Sequence, residues 1–260
     1  MVVTMCSTTF GQVSPIRTGE APVQNDGQAE EILKKAIAHL GGAKYLSVSS
    51  QIGQGRFSVI RDGTVISFRS FHDVIVYPDR ERTEFKGGGS RSVQVNTGDT
   101  GWLYDGDMDV IRDQTEIQIA NFKRGMAVSL DALLRGHWRG KGSLAYVGKR
   151  PSTLGKRNDV IKLTYESGTV VEFEFADDGT PQKAIHKRTN ADGEETVEED
   201  RYAQFIENSG IRSPFIIDRF TDGKHTSRIN YQSVEFNRSV ADSIFEKPND
   251  VKALKKSLKL

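Results

Sequence analysis

The sequence of 260 residues contains a single cysteine, Cys6, and therefore cannot form an internal disulfide or a cysteine-rich metal site. It also lacks an excess of charge of either sign, because 36 Lys and Arg stand against 35 Asp and Glu. That balance excludes the broad basic field on which nonspecific nucleic-acid binding depends. Apolar runs do not exceed about four residues, whereas a membrane-spanning helix needs about 20. We therefore predict no spanning helix and no nucleic-acid partner.

The sequence is rich in glycine and in segments where apolar and polar residues alternate. Its 25 glycines and its hydrophobic fraction of 36% favour many strands joined by turns over a helical bundle. Apolar and polar residues alternate from residue 49 onward, and Asp62-Gly63, Asp178-Gly179, Asp192-Gly193 and Asp222-Gly223 have the chemistry of tight hairpins. We predict a mainly β protein with few helices, a strongly curved, half-open antiparallel β-barrel of about 11–12 strands. The predicted strands span about 49–61, 64–77, 80–86, 91–96, 100–104, 143–150, 159–166, 169–176, 181–190, 194–207, 214–221 and 224–237.

Two segments at the ends of this pattern have a different character. Apolar residues recur every three or four positions over residues 29–40, which predicts an amphipathic helix capped by Asp26 and ended by Gly41-Gly42. A helical turn is predicted before Pro248, and residues 249–260, with four lysines, are predicted to be a solvated basic tail. The predicted domain therefore spans residues 28–248.

The middle of the chain, residues 114–138, also has helical periodicity and predicts one or two short helices. Gly125 is the predicted break, and Ser129 or Asp131 would start the second helix. Two small helical regions can cover a sheet of this size but cannot fill it, so we expect an apolar cavity with this segment as its lid. The predicted lid side chains are Phe122, Met126, Leu130 and Leu134. The predicted lining of the cavity is Phe57, Val59, Ile66, Phe68, Trp102, Tyr104, Leu163, Phe173, Phe175, Phe215 and Ile217.

The lid segment is also basic on one side. Its cations would make either an ordinary solvated helix face or a surface that touches anionic lipid headgroups for a short time. Both interpretations stay open from the sequence. The residues concerned are Lys123, Arg124, Arg135, Arg139 and Lys141.

Motifs of catalysis and metal binding are weak. The five histidines are scattered, and the glycines at 53–55 and 87–89 lack the strand-to-helix context of a phosphate loop, so backbone turns explain them. The carboxylates of Asp105, Asp107, Asp109 and Glu116 have calcium-loop spacing, but Val110 stands where that loop needs glycine, which favours an acidic hairpin turn. We predict no catalytic residue, metal or cofactor. A histidine and carboxylates meeting inside the cavity would favour an enzyme instead.

The N-terminal segment, residues 1–27, is either the remnant of a signal peptide or a disordered tail. Small residues at Thr9 and Gly11 have the spacing that signal peptidase recognises, which would place the mature start near residue 12 and outside the cytoplasm. A lipid-modified Cys6 is the weaker alternative, because Met5 occupies the position of a small residue.

Several phrases, taken in order, resemble the outer-membrane lipoprotein-sorting family, the LolA/LolB-like proteins. These are AEEILKKAIAHLGG at 29–42, NTGDTGWLY at 96–104, the helical insertion that follows, the Asp-Gly hairpins, and DSIFEKP at 242–248. The resemblance covers about residues 28–248. It implies a curved, half-open sheet whose concave face is covered by helices and binds lipid.

The resemblance implies a noncatalytic, monomeric periplasmic protein that holds lipoprotein acyl chains or another lipid for sorting towards the outer membrane. Related members are envelope sensors on the same fold, which is the first alternative; an enzyme with a site in the cavity is the second. Family carriers hold the lid closed with one arginine, for which Arg56 and Arg69 are the candidates. Partners would be lipid or acyl chains, with transient contacts to a membrane or an envelope protein.

Overall fold

The computed structural model describes residues 26–152, 155–189 and 193–260. Cys6 and the proposed signal-peptide remnant lie outside the described residues. Within them, 13 strands form one antiparallel sheet and five α-helices flank it, which confirms the predicted mainly β, half-open architecture. The helices are α1 (Gly27–Leu40), α2 (Ala43–Leu46), α3 (Glu116–Ala127), α4 (Leu130–Leu134) and α5 (Val251–Ser257). The strands are β1 (Ser50–Arg61), β2 (Thr64–Val76), β3 (Arg80–Gly87), β4 (Ser90–Thr97), β5 (Thr100–Asp105), β6 (Val110–Asp113), β7 (Gly142–Pro151), β8 (Arg157–Tyr165), β9 (Val170–Phe175), β10 (Pro181–Thr189), β11 (Glu195–Asn208), β12 (Ile211–Thr221) and β13 (Lys224–Phe236).

The ends of the helices follow their capping residues. The Asp26 carboxylate accepts the Gln28 amide at the start of α1, and the amides of Gly41 and Gly42 donate to carbonyls of its last turn. Both predicted ends of α1 are confirmed. The predicted break at Gly125 is wrong, because α3 continues through it. The break comes at Val128, where Ser129 caps the start of α4 by accepting the Ala132 amide.

The strand order is β6-β5-β4-β3-β2-β1-β13-β12-β11-β10-β9-β8-β7, so every hairpin neighbour is also a sheet neighbour. Strands β1 and β13 join the two halves of the chain in the centre of the sheet. In the described residues no pairing joins β6 to β7, and the sheet stays open between them. The segment 114–141 connects these two edge strands, and its helices α3 and α4 therefore cross the concave side.

The sheet is covered on both faces, by different helices. On the inner, concave face, α1 and α4 pack over β7–β10 with Leu33, Leu133 and Trp138 buried in a large apolar cluster. On the outer face a second cluster lies over β2–β5, beneath a short 3-10 helix (Asp242–Ile244) and α5. Since apolar side chains are buried on both faces here, alternation alone does not tell which face is concave.

The C-terminal segment is part of the second cluster, which corrects the prediction of a solvated tail after residue 248. Leu254 is 0% exposed and contacts the outer face of the sheet. The Lys259 amide donates to the carboxylate of Glu84, which is buried and ion-paired with Arg82. The core of the domain therefore continues through α5. Within the described ranges, no helix has the length and apolarity needed to cross a membrane.

Candidate ligand cavity

A cavity of about 600 Å³ lies between the inner face of the sheet and α3–α4, within the range of roughly 300–1,000 Å³ typical of ligand pockets. Its aromatic wall is built by residues that face each other across strands. Phe71 and Phe85 are paired in register on β2 and β3, and Phe57 packs edge-on against Phe85 with 6.0 Å between the ring centroids. The ring of Tyr231 stands 5.3 Å from Phe71.

Gly53 makes room for this arrangement. A Cβ atom there would come 2.5 Å from the Tyr231 ring, so any other residue would push the tyrosine out of place. The prediction that Gly53 and Gly55 form a backbone turn is wrong. Both lie inside β1, beside a bulge opposite β13.

Helix α3 closes one side of the cavity and is held loosely. It contributes Phe122 and Met126 to the lining. None of its twelve residues, all of them described, is fully buried, and Ile117 on its far side is 72% exposed. Elements with few buried apolar contacts open at low free-energy cost, so α3 is suited to be the movable part of the lid.

Helix α4, in contrast, is anchored through Arg135. The guanidinium donates to the carbonyl oxygens of Tyr45 and Val48, both at 3.0 Å, and to the Asp131 carboxylate at 3.1 Å. It also stacks between the rings of Tyr45 and Tyr77, at 4.6 and 4.1 Å from their centroids. One side chain thus ties α4 to the connection between α2 and β1.

Two acids on the inner wall, Asp73, which is buried, and Glu81, which is half-buried, form what we call the carboxylate pair. The Thr83 hydroxyl is 2.8 Å from an oxygen of Asp73 and 3.1 Å from one of Glu81. Burial raises the pKa of both acids, and the charge of Glu81 raises that of Asp73 further. In the described part of the chain, no salt bridge joins either acid to a basic side chain.

Replacing Asp73 with asparagine should raise the free energy of unfolding at pH 7 by roughly 1–3 kcal/mol, because a buried charge is removed. The pKa of Asp73 is higher in the folded than in the unfolded chain. In the wild type, Asp73 is protonated in both states below its unfolded pKa of about 3.9, so it then causes no loss of stability. As the pH rises through the folded pKa, the buried carboxylate ionises and the free energy of unfolding falls. The advantage of the variant should vanish at low pH in urea unfolding. Asp107→Asn, at an exposed turn, is the control; a gain independent of pH would contradict the prediction.

A second polar group lies on the opposite wall, on β10–β12. Asp200 is 3.5 Å from the guanidinium of Arg219, and burial raises the pKa of this acid. His186 stands beside Glu198 and Asp200, and burial lowers its pKa. The cavity wall therefore has an apolar part and a polar part, and the polar part contains arginines as well as acids.

The fold of this chain is shared with solved structures. One is a DUF1329 family protein from Desulfovibrio piger, with a TM-score of 0.59 and 13% identity over 84% of this chain and 97% of that one. A LolA superfamily protein from Nitrosomonas europaea has a TM-score of 0.56 and 15% identity over 84% and 97%. An outer membrane lipoprotein-sorting protein domain from Vibrio parahaemolyticus has 0.54 and 10% over 84% and 96%. The chain has a LolA-like fold.

No protein-family model matches the sequence and no curated protein matches it. TM-scores of 0.54–0.59 show that the fold is shared although the identities are only 10–15%. A shared fold does not determine function, which depends on the residues of the site.

Five of the predicted cavity and lid side chains line the cavity of the LolA-like fold. These are Phe57, Ile217, Phe122, Met126 and Leu130.

Other predicted side chains are on the inner face but do not reach the cavity. Leu163, Phe173 and Phe175 are sealed beneath α1 and α4 in the large cluster, and Leu134 belongs to the same core. Phe215 is buried with its ring 6.3 Å from that of Tyr231, and Val59 lies beyond the cavity near the end of β1. These residues support the fold rather than contact a ligand.

Four predicted lining residues are on the wrong face. Trp102 and Tyr104 pair with Val95 and Val93 on the outer face, where the Trp102 indole donates to the Phe245 carbonyl at 2.9 Å. Ile66 and Phe68 are also on the outer face, near the tip of the β1–β2 hairpin, and are 49% and 54% exposed.

The two candidates for a lid arginine are not at the lid. Arg56 stacks on Phe68, 4.5 Å from its centroid, on the outer face. Arg69 lies on the exposed part of β2 and does not line the cavity.

The acidic stretch at 105–109 is a hairpin turn, as predicted. Asp105 accepts the amides of Asp107 and Met108, and Asp109 accepts the Tyr104 hydroxyl. The turn leads into β6, whose residue Val110 pairs with Asp105.

Proposed function

We propose that this protein is a noncatalytic carrier that holds the apolar chain of a lipid or lipoprotein in the cavity beneath α3 and α4, outside the cytoplasm. The observation that supports it best is a cavity of about 600 Å³ with an aromatic wall and a loosely held helix across it. The fold shared with lipoprotein-sorting and LolA superfamily proteins agrees with this function. Export to the periplasm follows from the same proposal and from the N-terminal segment.

The direct test is native mass spectrometry of protein purified from its host, followed by lipid extraction. Adducts of lipid mass, and displacement of an apolar fluorescent probe by that lipid, are the expected results. Protein that carries no lipid and binds no apolar probe would overturn the proposal.

The lid provides a sharper test. Replacing Phe122 and Met126 with aspartate should weaken probe binding by about tenfold or more, because carboxylates would enter an apolar wall. The free energy of unfolding should change by about 1 kcal/mol or less, because α3 is not part of the core.

Ile117→Asp is the matched control, since this residue lies on the same helix and points away from the cavity. It should leave probe binding unchanged. Leu134→Asp, in the buried core, should instead prevent folding. If Ile117→Asp weakened binding as much as the double variant, α3 would not be a lid.

An enzyme is the second candidate, favoured by His186 lying beside Glu198 and Asp200 in the cavity. Against it, no hydrogen bond joins His186 to either acid in the described residues, whereas a general base is normally oriented by such a bond. Incubating the protein with a lipid ester and measuring products by mass spectrometry separates the two candidates. Turnover that disappears in His186→Ala would favour the enzyme.

A sensor is the third candidate, and transfer of a loaded fluorescent lipid to acceptor membranes distinguishes it from a carrier. Because α5 is part of the core, deleting residues 249–260 would confuse folding with docking. Reversing the exposed charges of Lys252 and Lys256 is the better comparison. Transfer by the wild type supports a carrier. Absence of transfer, together with a specific protein captured by the wild type and lost on charge reversal, supports a sensor.

A further inference from the structure

The negative charges of the carboxylate pair are not compensated by a salt bridge. Asp73 is only 6% exposed and Glu81 lies beside it, yet no basic side chain forms a salt bridge with either in the described residues. The charge of Arg219 acts on Glu81, but Arg219 is also paired with Asp200. Buried charges without a salt bridge are costly, so a cation bound between Asp73 and Glu81 would stabilise the pair.

The Thr83 hydroxyl cannot neutralise the two carboxylates. It carries one proton and can donate to one carboxylate at a time. Its contacts to both acids become two hydrogen bonds only if one acid is protonated and donates back to the Thr83 oxygen. This geometry is therefore consistent with one proton bound by the pair, in a place where a cation could bind instead.

Tyr202 is a further polar side chain of the cavity wall, where it is 9% exposed. The charges of Asp200, Asp131 and Arg219 act on this hydroxyl, which places it among the polar groups of the wall. A ligand with a polar group would meet this hydroxyl in the cavity.

The apolar part of the wall adjoins these groups directly. On β2, Phe71 and Ile75 are the inner-face neighbours of Asp73, and on β3 Phe85 and Thr83 continue the same rows. A ligand that fits both parts must therefore carry its polar group at or near one end of its apolar chain.

We propose that the cavity binds an amphiphile with one apolar chain and a protonated primary amine, and that Asp73 and Glu81 bind the amine. An ammonium group offers three donors and a positive charge, which matches two acceptors without a cationic partner. A carboxylate or phosphate headgroup would be repelled by the same pair. The proposal rests on the proposed function, because it needs a cavity that accepts an apolar chain.

The test is displacement of a neutral apolar fluorescent probe by dodecylamine, dodecanol and dodecanoate, which share one chain length. Dodecylamine should displace the probe at a concentration about tenfold or more below that of dodecanol, and dodecanoate should be the weakest. The variant Asp73→Asn with Glu81→Gln should lose this preference and bind dodecanol as before. The control Glu235→Gln, an exposed acid on the outer face of β13, should keep the preference.

The outcomes separate this proposal from the proposed function. If dodecanol or dodecanoate displaces the probe as well as dodecylamine, the cavity holds apolar chains without selecting an amine, and only the present proposal fails. The same holds if the double variant keeps the preference. If the probe and all three compounds fail to bind, the proposed function fails and this proposal with it. If dodecylamine is preferred, the mass of a lipid extracted from the native protein shows whether the amine belongs to a free long-chain base or to an amino lipid.

Discussion

Replacing Arg135 with methionine is expected to lower the free energy of unfolding by about 3–5 kcal/mol. The change removes the donor to the carbonyls of Tyr45 and Val48 and leaves them without that partner beneath α4. It also leaves the Asp131 carboxylate without its cation and takes away the group stacked on Tyr45 and Tyr77. Equilibrium denaturation in urea measures the loss.

Arg139→Met provides the comparison. Arg139 lies four residues further along and binds both oxygens of Glu30, but this pair is at the surface. Its removal should cost about 1 kcal/mol or less. Arg135→Lys should fall between the two, since it keeps the charge and loses the planar donors and the stacking. If Arg135→Met cost no more than Arg139→Met, the guanidinium would not be what holds α4.

The strand pattern of this fold could be predicted from sequence because the period of two is local. Twelve of the 13 strands coincide with the predicted alternating segments, and the predicted turn residue Asp192 lies outside the described residues. Strand β6 has four residues, too few for alternation to be distinguished from the turn before it. Helix α5 was overlooked because its lysines dominate the composition, although Val251, Leu254 and Leu258 have the spacing of one helix face.

The cavity could be predicted only in part, because alternation defines two faces without saying which is concave. Over β7–β10, Leu163, Phe173 and Phe175 lie on the inner face, but they pack beneath α1 and α4 and do not line the cavity as predicted. Over β2–β5 both faces are buried, and Trp102 and Tyr104 were placed on the wrong one.

The grouping of the carboxylate pair depends on how strands β2 and β3 pair. Asp73 interrupts the apolar run that ends β2, which was a signal in the sequence. Its proximity to Glu81 and Thr83 is set by the register of β2 against β3, which aligns Asp73 with Thr83 and Ile75 with Glu81. Register is fixed by the hairpin and the packing of both faces together, so these three side chains could not be grouped from the sequence alone.

The C-terminal helix should be indispensable for stability. Replacing Leu254 with alanine should cost about 2–5 kcal/mol, the usual range for a fully buried leucine. Leu254 is 0% exposed and packs on the outer face of the sheet together with Trp102 and Phe245. Lys252→Ala, at an exposed position of the same helix, should change the free energy of unfolding by about 0.5 kcal/mol or less.

Deleting residues 249–260 should cost more than the single substitution, because it uncovers the whole cluster and an ion pair. The Arg82–Glu84 pair is sealed by this segment, and Glu84 loses the amide of Lys259. An acid left in a buried pair with fewer donors is destabilising. The melting temperatures of Leu254→Ala, Lys252→Ala and the chain without residues 249–260 measure these losses of stability. If the deleted chain melted at the wild-type temperature, α5 would be a detachable segment resting on a finished sheet, and the outer cluster would not contribute to the stability of the fold.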